Sequence, residues 1–203
     1  MKPTTPRDRN PRGQGERLRE QIVDAAVRML DELGDDQPLS MRAVAREIGV
    51  AATSVYLHFA DRDQLVYVAL KQAHHDLVES VQHVGGADPV AELRARIRVL
   101  ARWSGEHPGL YKVLNESSLN QRADMSFKLV VREQTVEIVQ RCMDAGLVPR
   151  DDAAAVAFDL RAAVHGTVSM RLNEPDLPWP PLDDQIDRYL VKLVGVSPAA
   201  LGR

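Results

Sequence analysis

The twenty residues from Ser40 to Phe59 constrain this chain more than any others. Apolar or small side chains at Met41, Val44, Ala45 and Ile48 recur at i, i+3, i+4 and i+7, one stripe of a short α-helix. Ser40 stands where an N-cap hydroxyl satisfies orphan backbone donors. Gly49 follows the last periodic residue, where a left-handed residue closes a helix readily. Val50 plugs the corner, and Val55 and Phe59, four residues apart, begin a second stripe. Two helices crossing steeply after so short a turn need a small side chain at their contact, which Ala45 supplies. A small residue at 45, glycine at 49 and a β-branched residue at 55 is the spacing of a helix-turn-helix. Ordinary helical hairpins have no reason to share it.

The rest of the chain reads as helix throughout, with no repeats and no strands. The first helix is expected from about Glu16 to Leu33, turning Leu18, Ile22, Ala26, Met29 and Leu33 to the core, with Gly34 ending it. Asp61 caps a long helix, and Gln64 three residues on makes a capping-box-like pair. That helix runs to about Val84, long enough at roughly 1.5 Å per residue to leave the head and enter a second domain. Asp88-Pro89 opens the next one, to near Glu106. Others are expected over 110–116, 121–145 and 152–172, and from Asp183 through Leu193. Between the last two, Asn173 to Pro181 is too rich in proline to be helical. The predicted fold class is all-α: an N-terminal three-helix helix-turn-helix head on a C-terminal helical bundle. Residues 1–15, with Pro3, Pro6, Pro11, Gly13 and Gly15, read as a disordered basic arm. Residues 16–62 form the head, and 63–203 the ligand-binding and dimerisation domain.

Composition narrows the function classes. No apolar run approaches the roughly 18 residues needed to span a bilayer, so no membrane partner is expected. The opening Met1 to Pro6 lacks a secretory apolar segment, and Cys142 stands alone, so the expected compartment is the cytoplasm. No His-Glu-x-x-His, Gly-x-Ser-x-Gly, phosphate-cradling glycine loop or Cys-x-x-Cys occurs. His74 and His75 are adjacent and point about 100° apart on a helix, so they cannot share a simple metal site. The expectation is a protein without catalysis, cofactor or metal.

Net charge is −3, and residues 1–62 carry equal numbers of basic and acidic side chains. A nucleic-acid interface therefore requires segregated charge rather than excess. Residues 1–19 are net positive, while Asp31, Glu32, Asp35 and Asp36 cluster after the first helix. In the second helix of the motif, Thr53, Ser54, Tyr56 and His58 can donate to phosphate oxygens, joined by Arg42 and Arg62 on either side. Ala51, Ala52, Thr53 and Leu57 are placed to meet base edges, chiefly thymine methyls. That helix holds no Arg, Gln or Asn, so specificity is expected to lean on methyl contacts, DNA shape and arm arginines in a minor groove.

The Leu39–Ala45 lead-in, the Ile48-Gly49-Val50 turn and the run from Val55 through Tyr56, His58, Phe59, Asp61 and Arg62 to Leu65 resemble the DNA-binding domain of TetR-type transcriptional regulators. The resemblance is strong over about a quarter of the chain. It implies a homodimeric repressor that leaves double-stranded operator DNA when a small-molecule effector binds the C-terminal bundle. It also implies backbone contacts from Tyr56, His58 and Arg62. A corepressor that tightens DNA binding fits these residues equally.

In the bundle, Trp103, His107, Tyr111, Phe127, Arg161 and His165 are the candidate ligand residues: apolar walls with a few polar anchors. Arg102 is a further possible anchor. The small residues of the penultimate helix (Ala153, Ala154, Ala155, Ala157, Ala162, Ala163 and Gly166) suit close helix packing, either across a two-fold axis or within one subunit. Ile186, Tyr189, Leu190 and Leu193 of the last helix would join them, so the homodimer is expected through the last two helices. The alternative reading is a helical small-molecule-binding or interaction protein whose head does not read DNA.

Overall fold

The computed structural model describes residues 14–202, within which all regular structure is helical. The helices are α1 (Gln14–Leu33), α2 (Met41–Glu47), α3 (Ala52–Tyr56), α4 (Arg62–Gln82) and α5 (Pro89–Glu106). They continue as α6 (Pro108–Glu116), α7 (Leu119–Arg122), α8 (Leu129–Asp144), α9 (Ala153–Asn173) and α10 (Leu182–Tyr189). Residues 1–13 of the expected arm lie outside the described residues, and α1 already begins at Gln14.

The head assembles as its pattern dictates. Ser40 accepts the backbone N–H of Ala43 at 3.2 Å and starts α2. Val50 N–H donates to the Ala45 carbonyl at 2.9 Å, and Gly49, with φ +71°, turns the chain between them. Ile22, Leu30, Val44, Val55 and Phe59 are all essentially buried where α1, α2 and α3 meet. Each contributes roughly 1.5–3 kcal/mol by leaving water. Leu33, expected in the core, is instead 43% exposed on the last turn of α1.

Asp61 accepts the Gln64 N–H at 2.8 Å, and Gln64 in turn accepts the Ala60 N–H at 2.6 Å. The reciprocal cap therefore closes one residue earlier than the usual box. Beyond it, Leu65, Val66, Ala69 and Leu70 of α4 are fully buried, largely against α1. The same core continues without a break into Trp103, Leu110, Val113, Leu114 and Leu119. It does not stop at residue 62. A second core joins α5, α8, α9 and α10 around Leu93, Ile97, Val139, Leu160, Ile186 and Leu190. Arg94 of α5 ties α10 to it by donating through Nε to Asp187 Oδ1 at 2.6 Å.

Two expectations change. The helix foreseen over 121–145 is split: Ala123 is extended, Asp124 accepts the Ser126 N–H at 2.9 Å, and a single 3-10 turn (Ser126–Lys128) precedes α8. A short carboxylate that captures a nearby N–H competes with helix propagation. Ile186 and Leu190, expected to face a partner subunit, are completely enclosed within their own chain, as are Ala153 and Ala157. Tyr189 likewise turns inward, its hydroxyl 2.6 Å from that of Thr167. The exposed apolar residues of α9 are Ala155, Phe158, Ala162 and Met170, Phe158 and Met170 being 62% and 48% exposed.

A side chain at Gly49 would meet nothing within 4 Å, so its requirement is conformational only. Gly49→Ala is expected to destabilise the protein by about 1–2 kcal/mol, the penalty of a left-handed L-residue. Gly49→Asn should lose less, both read from urea midpoints.

Candidate nucleic-acid interface and bundle cavity

Helix α3 is fastened by Val55, with Phe59 just beyond it, so the residues between them point outward. Thr53, Tyr56 and Leu57 are exposed, Tyr56 by 53% and Leu57 by 85%. Ala52, Ser54 and His58 are half-buried, and Arg42 is exposed at the start of α2. One hydroxyl, one phenol and one large apolar side chain, at i, i+3 and i+4, thus share an exposed face. Behind it, the Arg19 guanidinium lies over the Phe59 ring, 5.2 Å from its centroid. Ala51 begins α3 without a side-chain cap.

Arg62 is placed otherwise than the sequence reading placed it. Its Nε donates to the Leu39 carbonyl at 3.0 Å and Nη2 to Asp36 Oδ2 at 2.7 Å, with a further bond to the Asp36 carbonyl. Nη1 reaches Asp63 Oδ1 at 2.8 Å. Asp36 is almost completely buried, so this arginine compensates an enclosed carboxylate and fixes the segment leading into α2. Asp63 is shared with Arg122 of α7, at 2.7 Å. Hydrogen bonding from Arg122, with the charge of both guanidiniums, holds its carboxyl below the usual range.

A second tie links head and bundle. Asp31, in the last turn of α1, accepts the Leu110 N–H through Oδ1 at 3.1 Å and pairs with His107 Nδ1 through Oδ2 at 2.8 Å. It therefore caps α6 from another helix, placing negative charge at a helix N-terminus. Gly109 permits this approach: a Cβ there would fall 1.8 Å from the Asp31 carbonyl oxygen.

Helix α6 also forms one wall of a cavity of about 160 Å³, open to solvent on one side and bounded by α4, α5, α8 and α9. Of the six ligand residues expected from sequence, Trp103, Tyr111, Arg161 and His165 line it. His107 is engaged with Asp31 instead. Phe127 packs edge-on against the rings of Tyr67 and His74, at 5.7 and 5.3 Å between centroids. Arg102 is exposed and outside the lining. The sequence reading missed His74 and Lys128. His74 had a legible signal, an imidazole in the apolar stripe of Leu70, Ala73, Leu77 and Val81. Lys128 had none, because its inward position depends on the break at Ala123–Asp124.

Burial, reinforced by the nearby charges of Lys128 and Arg161, pushes the His74 pKa down to about 4. Burial also lowers that of Lys128 and raises that of Tyr111 to about 12. Tyr111 thus keeps its proton, and its hydroxyl lies 2.5 Å from His165 Nδ1.

An exposed helix-turn-helix face joined to a cavity-bearing helical bundle defines a DNA-binding transcriptional regulator. Residues 22–67 match the family described as Bacterial regulatory proteins, tetR family, and residues 93–194 the Tetracyclin repressor-like, C-terminal domain. The second match spans half of the chain, and the chain belongs to the TetR family. An uncharacterized HTH-type transcriptional regulator of Haemophilus influenzae is 48% identical over 52 residues, 26% of this chain and 25% of that protein. The chain is thus aligned with only a quarter of this curated relative. A Rhodococcus sp. RHA1 protein of unknown function superposes with TM-score 0.77 at 22% identity, over 93% of this chain and 99% of that one. The fatty acid degradation regulator FadR of Bacillus halodurans does so with TM-score 0.71 at 16% identity, over 92% and 97%. At these identities the structural likeness is one of fold. No helix among the described residues is long and apolar enough to cross a membrane.

His74 binds its proton near 6.5 when unfolded and only near 4 when folded. Stability is therefore full above pH 6.5 and is lost as pH falls towards and through 4. We expect wild type to lose on the order of 1–2 kcal/mol over that interval that His74→Leu retains, allowing for partial solvent screening. Urea midpoints at a series of pH values measure the difference.

Proposed function

We propose that this protein is a homodimeric repressor, acting in the cytoplasm, that leaves its operator when a small molecule fills the bundle cavity. The observation that carries the reading is the Asp31 cap. Helix α6 presents Tyr111 to the cavity on one side and receives the end of α1 on the other. A ligand that displaces α6 must either break the Asp31 and Gly109 contacts or drag α1, and the head, with it. Effector and DNA then oppose one another by a shared coupling free energy, commonly 1–3 kcal/mol.

On DNA, Arg42, Thr53, Ser54, Tyr56 and His58 serve as backbone donors, while Ala52, Thr53 and Leu57 enter the major groove and touch thymine methyls. Arg62 acts from behind, by holding the segment before α2. The exposed Phe158 and Met170 on α9 supply the partner-facing apolar surface, and two-fold symmetry then pairs the heads for a near-palindromic site.

Fluorescence anisotropy on the DNA flanking the protein's own gene, at several salt concentrations, tests the reading. Wild type should bind tightly, with affinity falling steeply as salt rises. Tyr56→Phe should weaken binding several-fold with an unchanged melting temperature, whereas Arg62→Ala should lower the melting temperature itself. Binding that ignores both salt and Tyr56→Phe, here and on DNA selected genome-wide, would favour an interaction module with a silent head.

A further inference from the structure

The charge lining the bundle cavity is one-sided. Lys128, Arg132 and Arg161 contribute three basic side chains, and His74 and His165 two imidazoles, yet no aspartate or glutamate is part of the wall. This occurs in a chain with 29 acidic residues against 26 lysines and arginines. Lys128 is half-buried and donates only to neutral oxygens, the Leu114 carbonyl at 2.7 Å and Asn120 Oδ1 at 2.8 Å. Among the described residues no carboxylate lies within salt-bridge distance of Lys128, Arg132 or Arg161. Elsewhere the protein pairs its arginines readily, as Arg62, Arg94 and Arg122 demonstrate.

The remainder of the wall is mostly apolar, with Ser104, Tyr111, Asn115 and Thr135 as its neutral polar members. Leu77, Ile97, Leu100, Leu160 and Val168 provide a body-binding surface with no charge of either sign. Arg132 and Arg161 are exposed members of the lining and Lys128 is half-buried, whereas Leu77, Ile97, Leu160 and Val168 are buried. Burial above all, and neighbouring cations after it, lower the pKa values of His74 and Lys128.

We propose that the cavity takes an amphipathic anion: an apolar tail against α5 and α9, and a carboxylate or phosphate head held between Lys128 and Arg161. The proposal rests on the cavity being the effector site. An oxyanion supplies the negative charge that the wall lacks, and strong charge-assisted hydrogen bonds form with both cations. A cationic amphiphile is disfavoured by the same field. A neutral one retains the tail contacts and forgoes the head.

The test is titration calorimetry of the full chain with four probes sharing one ten-carbon tail: decanoate, decyl phosphate, decanol and decylamine. At least one anion should bind tenfold or more tightly than decanol, with decylamine weakest. The tighter anion identifies the head. Lys128→Met and Arg161→Gln should each narrow the anion-to-alcohol ratio to within threefold while leaving decanol affinity unchanged, which shows that the cavity remains intact. Decanol binding as tightly as both anions in wild type overturns the anionic head and leaves the effector cavity standing. If none of the four binds, the proposal falls. The neutral dye Nile red, with Leu160→Trp as the filled-cavity control, then decides separately whether the cavity accepts any ligand.

Discussion

The contact between Asp31 and the start of α6 is the constraint from which the arrangement of the whole molecule follows. A helix N-terminus leaves backbone donors unsatisfied, and here the acceptor comes from the far end of another helix rather than from the local chain. Because Gly109 has no side chain, the two backbones touch. Neither helix can slide along the other without exposing those donors or creating a collision. The head is therefore oriented by a polar cap and a steric fit together, and the cavity wall that α6 provides inherits that orientation.

The ion pairs linking Asp36, Arg62, Asp63 and Arg122 form a second brace on the other side of the head. Its partners are unequal. Asp36 is enclosed, and losing its arginine would leave a buried charge uncompensated. Asp63 and Arg122 are largely exposed, and such a pair contributes little to stability. The inner half of the brace is structural, while the outer half is weak enough to open when the segment around α7 shifts.

The head was legible because its signals are local. Ser40, Gly49, Asp61 and the stripe from Met41 to Phe59 act within a few residues of themselves, and helix caps and turns form for reasons contained in those residues. The bundle was legible only as helices. Trp103, Tyr111, Arg161 and His165 converge as their chemistry suggested, but His107 is drawn away by Asp31, 76 residues distant in sequence. No periodicity encodes such a pairing. Lys128 enters the cavity only because Asp124 breaks a helix that the hydrophobic pattern continues. Ile186 and Leu190 illustrate the remaining ambiguity: an apolar stripe states that a surface is covered, not which chain covers it.

The uninterrupted core across residue 62 bears on how such a protein can be rebuilt. Leu65, Val66, Ala69 and Leu70 close the underside of the head, and Leu110 and Val113 close it from the bundle. A head cut after Arg62 would be an open shell, with Ile22 and Leu30 facing water. Exchanging heads between regulators to rewire which gene answers which chemical signal must therefore move α4 along with the head. The graft must also preserve an acid at 31 opposite a glycine at 109. The seam lies inside the bundle, and a chimera joined at the apparent hinge would inherit a reader without its floor.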